Sequence, residues 1–168
     1  MPAPRFYCPI PLAAQARIEL PEALAHHALR VLRLRPGTEI TLFDGHGGEY
    51  PALLQAEGRE AWAETADFRA IERELPGRIT LLQGLAGGDK MDWIVEKAVE
   101  MGVTQLVPIT TERSVLRLAG PRLDKRLAHW QRIRVAASEQ CGRNRLMDIW
   151  APVSFQDAIG ALDGVALF

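Results

Sequence analysis

Two short clusters of polar residues, each following a predicted secondary-structure element, are the first candidates for chemistry in this sequence. Glu112-Arg113 follows a predicted strand, and Glu139-Gln140 precedes Arg143-Asn144-Arg145 at the end of a long predicted helix. Open α/β sheets place their ligands in the loops beyond the strands. Guanidinium groups in such loops bind phosphate or stabilise a developing negative charge. These two clusters therefore predict a site for an anionic ligand in the second half of the chain.

Other basic residues fall on predicted helices, where they are candidate contacts for the phosphates of a nucleic acid. Arg30 and Arg33 are three residues apart, so they can share one helix face and contact successive phosphates. A plain solvated surface is the alternative interpretation. The complete predicted set of RNA contacts is Arg5, Arg30, Arg33, Lys90, Lys97, Arg126, Arg132, Asn144 and Arg145.

Two of these basic residues stand beside aromatic ones. Arg5 precedes Phe6 and Tyr7, and Lys90 lies three residues before Trp93. Aromatic and guanidinium planes can hold a base that has left its stack. The alternative is ordinary packing, with Phe6 inside a first strand and Trp93 in a core or an interface.

The histidines and cysteines do not predict a metal site. His26 and His27 are adjacent, and no third ligand stands at metal-binding spacing. Cys8 and Cys141 are far apart and are expected to be reduced. We expect Cys8 to be an apolar filler and His27 to pack within the first domain.

Composition and charge indicate a soluble protein with an uneven charge distribution. The 168 residues are 48% hydrophobic and 24% charged, and the first residues lack the layout of a signal peptide. A cytoplasmic protein is therefore expected. Residues 1–72 carry seven Lys and Arg against ten Asp and Glu, a net charge of −3. Residues 111–150 carry nine against four, a net charge of +5, which again favours a polyanionic partner.

Residues 1–72 have the pattern of a small β-barrel with one helix. Strands are predicted over residues 5–8, 17–20, 39–44, 49–55 and 61–66, with a further strand over 68–72. A helix is predicted over residues 22–34, with Leu24, His27, Ala28, Val31 and Leu32 as its apolar stripe. Short strands at this spacing are typical of a small barrel.

The pattern of predicted elements changes across residues 73–78, where Pro76-Gly77 is a break signal. We therefore place the domain boundary at residues 72/73. Strands are predicted over residues 79–85 and 105–109, and helices over 90–101 and 122–140. Asp89 is the predicted N-cap of the first helix, and Gly102 is its C-cap glycine. A third strand is predicted to begin at residues 165–168. This alternation predicts a parallel α/β sheet that is incomplete at Phe168, and we expect the natural chain to continue.

Several short sequence blocks between Pro4 and Arg145 match, in order, those of a known family. They are Pro4-Arg5-Phe6-Tyr7, His27 with Val31-Leu32-Arg33, Leu42-Phe43-Asp44-Gly45, Asp89-Lys90-Met91, Glu96 with Lys97-Ala98-Val99-Glu100-Met101-Gly102-Val103, Glu112-Arg113, and Glu139-Gln140-Cys141-Gly142-Arg143-Asn144-Arg145. In this order and spacing they resemble the bacterial 16S rRNA N3-uridine methyltransferases, which are S-adenosylmethionine enzymes of the SPOUT superfamily.

The resemblance implies a fold and a function. The fold is α+β overall, with an N-terminal PUA-like small β-barrel over residues 1–72. It is followed by part of an α/β parallel-sheet domain over residues 73–168, which is knotted in the family. The implied activity is methylation of uridine N3 in 16S rRNA, with S-adenosylmethionine as cofactor. The implied partners are the small ribosomal subunit or its precursor and a second copy of the chain, without a membrane or a metal.

The chain also departs from the family. The family builds its cofactor pocket from later loops, including one of the G-P-E-G-G type, and this sequence has no such motif. The resemblance therefore places the adenosylmethionine site beyond Phe168, and we expect the 168 residues alone to be inactive.

The implied reaction needs a group that handles the N3 proton or the negative charge it leaves. Arg113 and Arg143 are the candidate catalytic residues, because an arginine can stabilise the anion at the neighbouring carbonyl oxygens. No general base is visible in the sequence.

Two other functions stay open. The barrel and the basic helix could form an RNA-binding module without chemistry, or the chain could be a small α/β protein with another ligand.

Overall fold

In the computed structural model, which describes residues 3–58, 60–111 and 119–161, the chain divides into two units. The first unit consists of Met1–Glu74 and Glu139–Arg145, and the second of Leu75–Ser138 and Leu146–Phe168. A domain boundary at residues 72/73 stays a prediction. The grouping of residues 139–145 with the first unit was not expected, and it follows from ion pairs described below.

The first unit is built on a five-stranded sheet, and the five main predicted strands are confirmed. The strands are β1 Arg5–Tyr7, β2 Arg17–Glu19, β3 Glu39–Phe43, β4 Tyr50–Glu57 and β5 Glu60–Thr65. Within the sheet they lie side by side in the order β1-β3-β4-β5-β2. β1 pairs in parallel with β3, and the other pairs are antiparallel.

The strand predicted over residues 68–72 is not formed. Arg69 pairs with Glu49 in one isolated bridge, and no further ladder is found in the described residues there. Residues 66–70 are exposed, so no buried face is available to support a longer strand.

The helix of the first unit is shorter than predicted and changes its pitch. It begins as α1, Glu22–His26, and continues as a π-helical turn, His27–Val31. A π-turn has more residues per turn than an α-helix, so the 3.6-residue spacing no longer defines one face. Leu24 and Ala28 are buried as predicted, whereas His27, Val31 and Leu32 are exposed. The predicted packing of His27 within the domain is limited to an edge-on contact with the Phe6 ring, at 6.0 Å between the ring centroids.

Apolar residues from the sheet and from this helix form the core of the first unit. Phe6 faces inward and Tyr7 is half-buried, as the strand interpretation predicts. Cys8 is completely buried, which confirms its role as an apolar filler. The main core residues are Phe6, Cys8, Leu20, Leu24, Ala28, Ile40, Leu42, Leu54 and Ala63.

The second unit contains a parallel sheet centred on β7, Gln105–Thr110. β7 pairs in parallel with β6, Thr80–Gly84, and with two short strands, β8 at Asp148–Ile149 and β9 at Val153–Ser154. β6 and β7 confirm the prediction. The two-residue strands were not predicted, because so short a segment carries no periodicity. The strand predicted over 165–168 lies outside the described residues.

Three helices accompany this sheet in the part of the chain that the structure describes. The predicted helices are confirmed as α2, Lys90–Glu100, and α3, Pro121–Cys141, and α4, Phe155–Gly160, is additional. Gly102 ends α2 at φ +83° as predicted, but the Asp89 side chain makes no capping hydrogen bond. Among the described residues, no helix has the length and apolar character that a membrane crossing requires.

One tryptophan of α2 lies outside the buried faces of α2 and α3. Met91, Val95 and Ala98 of α2 are buried, and Trp130 of α3 is completely buried. Trp93 is 62% exposed, so it is not a core residue. Packing of Trp93 at an interface stays a prediction.

Candidate functional site

The carboxylate of Glu49 is the centre of a polar cluster in the first unit. Arg5 Nη1 donates to Glu49 Oε2 at 2.6 Å, and Arg73 Nη1 donates to the same oxygen at 3.4 Å. Asn144 Nδ2 donates to it at 3.3 Å, and Arg5 Nη2 donates to Asn144 Oδ1. These four residues, called here the Glu49 cluster, join β1, the start of β4, the segment after β5 and residues 139–145.

The surroundings of Glu49 keep it ionised. Its side chain is only 8% exposed. Burial raises the pKa of the Glu49 carboxyl, but the hydrogen bonds from Arg5, Asn144 and Arg73 and the charge of Arg5 outweigh that effect. The net result is a pKa below the ordinary glutamate value. Glu49 is therefore an anion at neutral pH, and it holds two arginines.

A second buried ion pair fixes Arg143, which is a candidate catalytic residue. Its Nε and Nη2 donate to the two carboxylate oxygens of Glu74 at 3.0 and 2.6 Å. The side chains are 5% and 15% exposed. A two-point pair of this kind fixes both the position and the plane of a guanidinium group.

The end of α3 explains why residues 143–145 reach these partners. Gly142 follows the helix at φ +84°, a conformation that favours glycine and turns the chain away from the helix. The Gly142 carbonyl accepts hydrogen bonds from Arg73 at 2.8 Å and from Arg5 at 3.4 Å. The helix end therefore belongs to the same polar network as the Glu49 cluster.

Glu139, in the last turn of α3, is a half-buried carboxylate of the first unit. Its Oε1 accepts the backbone N–H of Tyr7 at 2.9 Å. Burial raises the pKa of Glu139, and the Tyr7 N–H and the charges of His27 and Arg5 only partly offset that effect. Glu139 thus differs from Glu49, because its pKa lies above the ordinary glutamate value.

The structure places the predicted RNA contacts in two environments. Arg5 and Asn144 come together in the Glu49 cluster, and Lys97 pairs with Glu96 and Glu100 at 2.8 Å. Arg126 lies half-buried, 3.6 Å from Asp92. Arg145 pairs with Glu72 at 3.1 Å, although its side chain stays 53% exposed. The residues with exposed side chains are Arg30, Arg33, Lys90, Arg132 and Arg145.

A groove of about 490 Å³ lies beside Arg30 in the first unit. Arg17 stacks over the ring of Trp62 at 3.9 Å, and both residues line the groove together with His26. The groove therefore offers cations next to an aromatic surface.

Sequence reasoning missed the acidic partners that organise this region. Glu49, Glu72 and Glu74 each pair with a basic residue far away in the chain, and local spacing carries no information about such partners. It also missed Asp92, which accepts a hydrogen bond from Trp130 Nε1 at 3.2 Å and lies 2.7 Å from His129 Nε2.

Glu112 and Arg113 lie outside the described residues. Within the described ranges, no group of three or more His, Cys, Asp or Glu could hold a metal ion.

Comparisons with known proteins identify the family. An RNA methyltransferase domain matches residues 73–168, and an RNA methyltransferase PUA domain matches residues 20–61. These two domains agree with the PUA-like first unit and with the parallel sheet of the second unit. The predicted fold class is confirmed. The chain belongs to the RNA methyltransferase family that contains the ribosomal RNA small subunit methyltransferases E.

Two relatives carry that name. The enzyme of Synechocystis sp. is 33% identical over 152 residues, which are 89% of this chain and 48% of the relative. The enzyme of Bacillus subtilis is 30% identical over 135 residues, which are 80% of this chain and 53% of the relative. The chain thus spans about half the length of these curated relatives.

Solved structures agree with this assignment. The methyltransferase E of Neisseria gonorrhoeae, bound to S-adenosyl methionine, matches with a TM-score of 0.90 and 39% identity, over 96% of this chain and 67% of that one. A putative methyltransferase of Legionella pneumophila, in complex with SAM, matches with a TM-score of 0.91 and 27% identity, over 97% and 68%.

Proposed function

We propose that this chain belongs to an enzyme that transfers a methyl group from S-adenosylmethionine to N3 of a uridine in 16S ribosomal RNA. The observation that carries the proposal is the match of nearly the whole chain, at 39% identity, to a small subunit methyltransferase bound to S-adenosyl methionine. S-Adenosylmethionine is consumed in each turnover, so we treat it as a substrate that supplies the methyl group. We assign none of the described residues to its binding.

The exposed basic residues are proposed to contact RNA phosphates. Arg30 and Arg33 extend from the first unit, and Lys90 and Arg132 from the second. Each neutralised phosphate releases condensed counterions, which makes such binding dependent on salt. Arg145 can exchange its carboxylate partner for phosphate, because an exposed ion pair contributes little to stability. The half-buried Lys97 and Arg126 are proposed to contact phosphate from their present ion pairs.

The buried polar residues are proposed to position the RNA-binding surface. Arg5 and Asn144 are held in the Glu49 cluster, and Arg143 is held by Glu74. For Arg143 we therefore propose a positioning role, in which it holds residues 142–145 in place. Arg113 remains our candidate for stabilising the anion that develops on the uracil carbonyl oxygens.

The proposed substrate implies a location and a partner. A ribosomal RNA substrate places the enzyme in the bacterial cytoplasm. We also propose that the enzyme is a homodimer, because Trp93 and Met101 expose 62% and 73% of their surface. Light scattering of the purified protein measures its molar mass and tests this part directly.

Methyl transfer in vitro tests the proposal. The protein, purified as its organism makes it, is incubated with labelled S-adenosylmethionine and with small subunits from a strain that lacks the gene. The RNA is then digested and its nucleosides are analysed by mass spectrometry. We expect label in 3-methyluridine at one position of 16S rRNA. Label in another nucleoside would contradict the assignment of N3, and RNA binding without transfer would favour a non-catalytic RNA-binding module.

A further inference from the structure

Glu139 combines partial burial with an oxygen that has no hydrogen-bond partner. Its Oε1 accepts the Tyr7 N–H at 2.9 Å. Within residues 3–58, 60–111 and 119–161, no donor is hydrogen-bonded to Oε2. Oε2 is not one of the described buried side-chain atoms that lack a partner, so it is open to solvent. With Oε1 anchored by the Tyr7 N–H, Oε2 is therefore available to a donor that the protein does not supply.

Cationic and aromatic residues neighbour Glu139. The charges of Arg5 on β1 and of His27 on the π-helical turn act on its carboxyl, and Tyr7 contacts it through the backbone N–H. The Tyr7 ring is half-buried, and the exposed His27 has its ring edge-on to Phe6 at 6.0 Å. Aromatic side chains and a guanidinium group are what proteins use to hold an RNA base outside its helix.

The chemistry of uracil matches this acceptor. Uracil presents an N–H at position 3, whereas cytosine presents a lone pair there. A carboxylate oxygen accepts a hydrogen bond from the first base and repels the second. A carboxylate placed at N3 thus distinguishes the two pyrimidines at the atom that would be methylated.

We propose that Glu139 is the general base that accepts the N3 proton of the target uridine, an inference that rests on the proposed function above. The N3–H bond breaks, and its proton forms an O–H bond with the Glu139 carboxylate. The N3 electron pair forms the bond to the methyl carbon. The bond from that carbon to the sulfonium sulfur breaks, and its electron pair remains on the neutral thioether. The proton on Glu139 then passes to water.

The electrostatic environment supports this role. Burial raises the pKa of Glu139 above that of an exposed glutamate, which makes its carboxylate a stronger base. A general base is most effective when its pKa lies near the working pH. Glu49, whose pKa is lowered, lacks this property.

The substitution Glu139→Gln tests the proposal in the protein as its organism makes it. Glutamine keeps an oxygen that can accept the Tyr7 N–H, so the fold is retained while the base is lost. Glu39→Gln, at an exposed position of β3, is the matched control. We expect Glu139→Gln to lower kcat about 100-fold or more, with KM for RNA within about threefold, and Glu39→Gln to match the wild type.

Two further readouts separate a base from a structural carboxylate. Rising pH should restore the Glu139→Gln rate, because uridine N3 ionises by itself in alkaline solution. RNA with 5-fluorouridine at the target position has a more acidic N3–H and should rescue the variant more than the wild type. In binding assays without S-adenosylmethionine, the wild type should prefer uridine to 3-methyluridine at this position about tenfold, and Glu139→Ala should lose the preference.

The outcomes are distinguishable. A wild type that methylates no RNA overturns the proposed function and this inference with it. An active wild type whose Glu139→Gln variant is equally active overturns the inference alone. So does a slow variant that neither high pH nor 5-fluorouridine rescues. If Glu139→Gln fails to fold, the pH dependence of kcat of the wild type decides. We expect kcat to fall on acidification as a group with a pKa above the ordinary glutamate range is protonated. A kcat that stays constant over that pH range contradicts the proposal.

Discussion

Glu49 connects segments of the first unit that are far apart in sequence. Its side chain pairs with Arg5 of β1 and with Asn144, which is 95 residues away. A buried charge with several donors is costly to break, because each partner is then left without compensation. At the residue scale, this carboxylate accounts for the position of residues 142–145.

Removal of the Glu49 carboxylate should therefore destabilise the protein strongly. We expect Glu49→Ala to lower the free energy of unfolding by about 3 kcal/mol, measured by urea denaturation. Glu60→Ala is the matched control, because Glu60 pairs with Arg17 at 4.0 Å with side chains that are 81% and 55% exposed. That control should change the free energy by no more than about 0.5 kcal/mol. Equal effects of the two substitutions would contradict a structural role for the cluster.

The pKa of Glu49 also predicts how stability depends on pH. Because its folded-state pKa lies below the ordinary glutamate value, the folded protein binds fewer protons than the unfolded chain between those two values. Its stabilising contribution is thus present above the ordinary value and is lost as the pH falls toward the lowered one. We expect the difference in unfolding free energy between wild type and Glu49→Gln to shrink over that range. A constant difference would show that Glu49 is not the group responsible. Glu139, whose pKa is shifted the other way, cancels in this comparison.

Not all of the candidate site could be predicted at this scale. Arg143, Asn144 and Arg145 could be selected from the sequence, because three polar residues after a helix are locally visible. Their partners Glu49, Glu72 and Glu74 could not, since they become neighbours only through the tertiary fold. The role of Glu139 depends on burial, which the sequence does not specify for a single carboxylate.

At the scale of elements, the turn before β4 determines how residues 68 and 69 pack. Gly48 has φ +69°, and its amide donates to Glu72 Oε1 at 2.7 Å. The Phe68 ring lies directly against the position that a Cβ atom would occupy. Only glycine satisfies both the backbone conformation and this contact.

Alanine at this turn should be poorly tolerated. We expect Gly48→Ala to lower the free energy of unfolding by about 2 kcal/mol or more, from a strained φ and from overlap with Phe68. Gly58→Ala is the control, because Gly58 has φ +60° but no atom of the described chain within 4 Å of an added Cβ. Thermal denaturation of both variants measures the difference in stability. If Gly58→Ala were as unstable as Gly48→Ala, overlap with Phe68 would not contribute to the loss of stability.

The elements themselves were largely predictable where their periodicity is long. The alternation of Glu39–Phe43 and the helix α2 are clear in the sequence and are confirmed. The sequence pattern failed at residues 68–72, where exposed residues make one bridge, and at His27–Val31, where the helix widens. β8 and β9 were missed because two-residue strands are defined by their neighbour β7 and not by their own residues.

At the scale of the whole molecule, the exposed arginines predict how RNA binding depends on salt. Arg30→Glu and Arg33→Glu should each reduce the slope of log affinity against log salt concentration by about 0.7 to 0.9. Arg78→Glu makes the same change of charge at another exposed arginine and should leave the slope unchanged. Fluorescence anisotropy over a series of salt concentrations measures all three. Identical slopes for all variants would mean that Arg30 and Arg33 do not contact phosphate.

The most direct test of the whole account is the nucleoside content of 16S rRNA in a strain from which the gene has been deleted. We expect 3-methyluridine to disappear from one position and to return when the wild-type gene is supplied on a plasmid. Other modified nucleosides should not change. If 3-methyluridine persists at full level in the deletion strain, the central claim is contradicted.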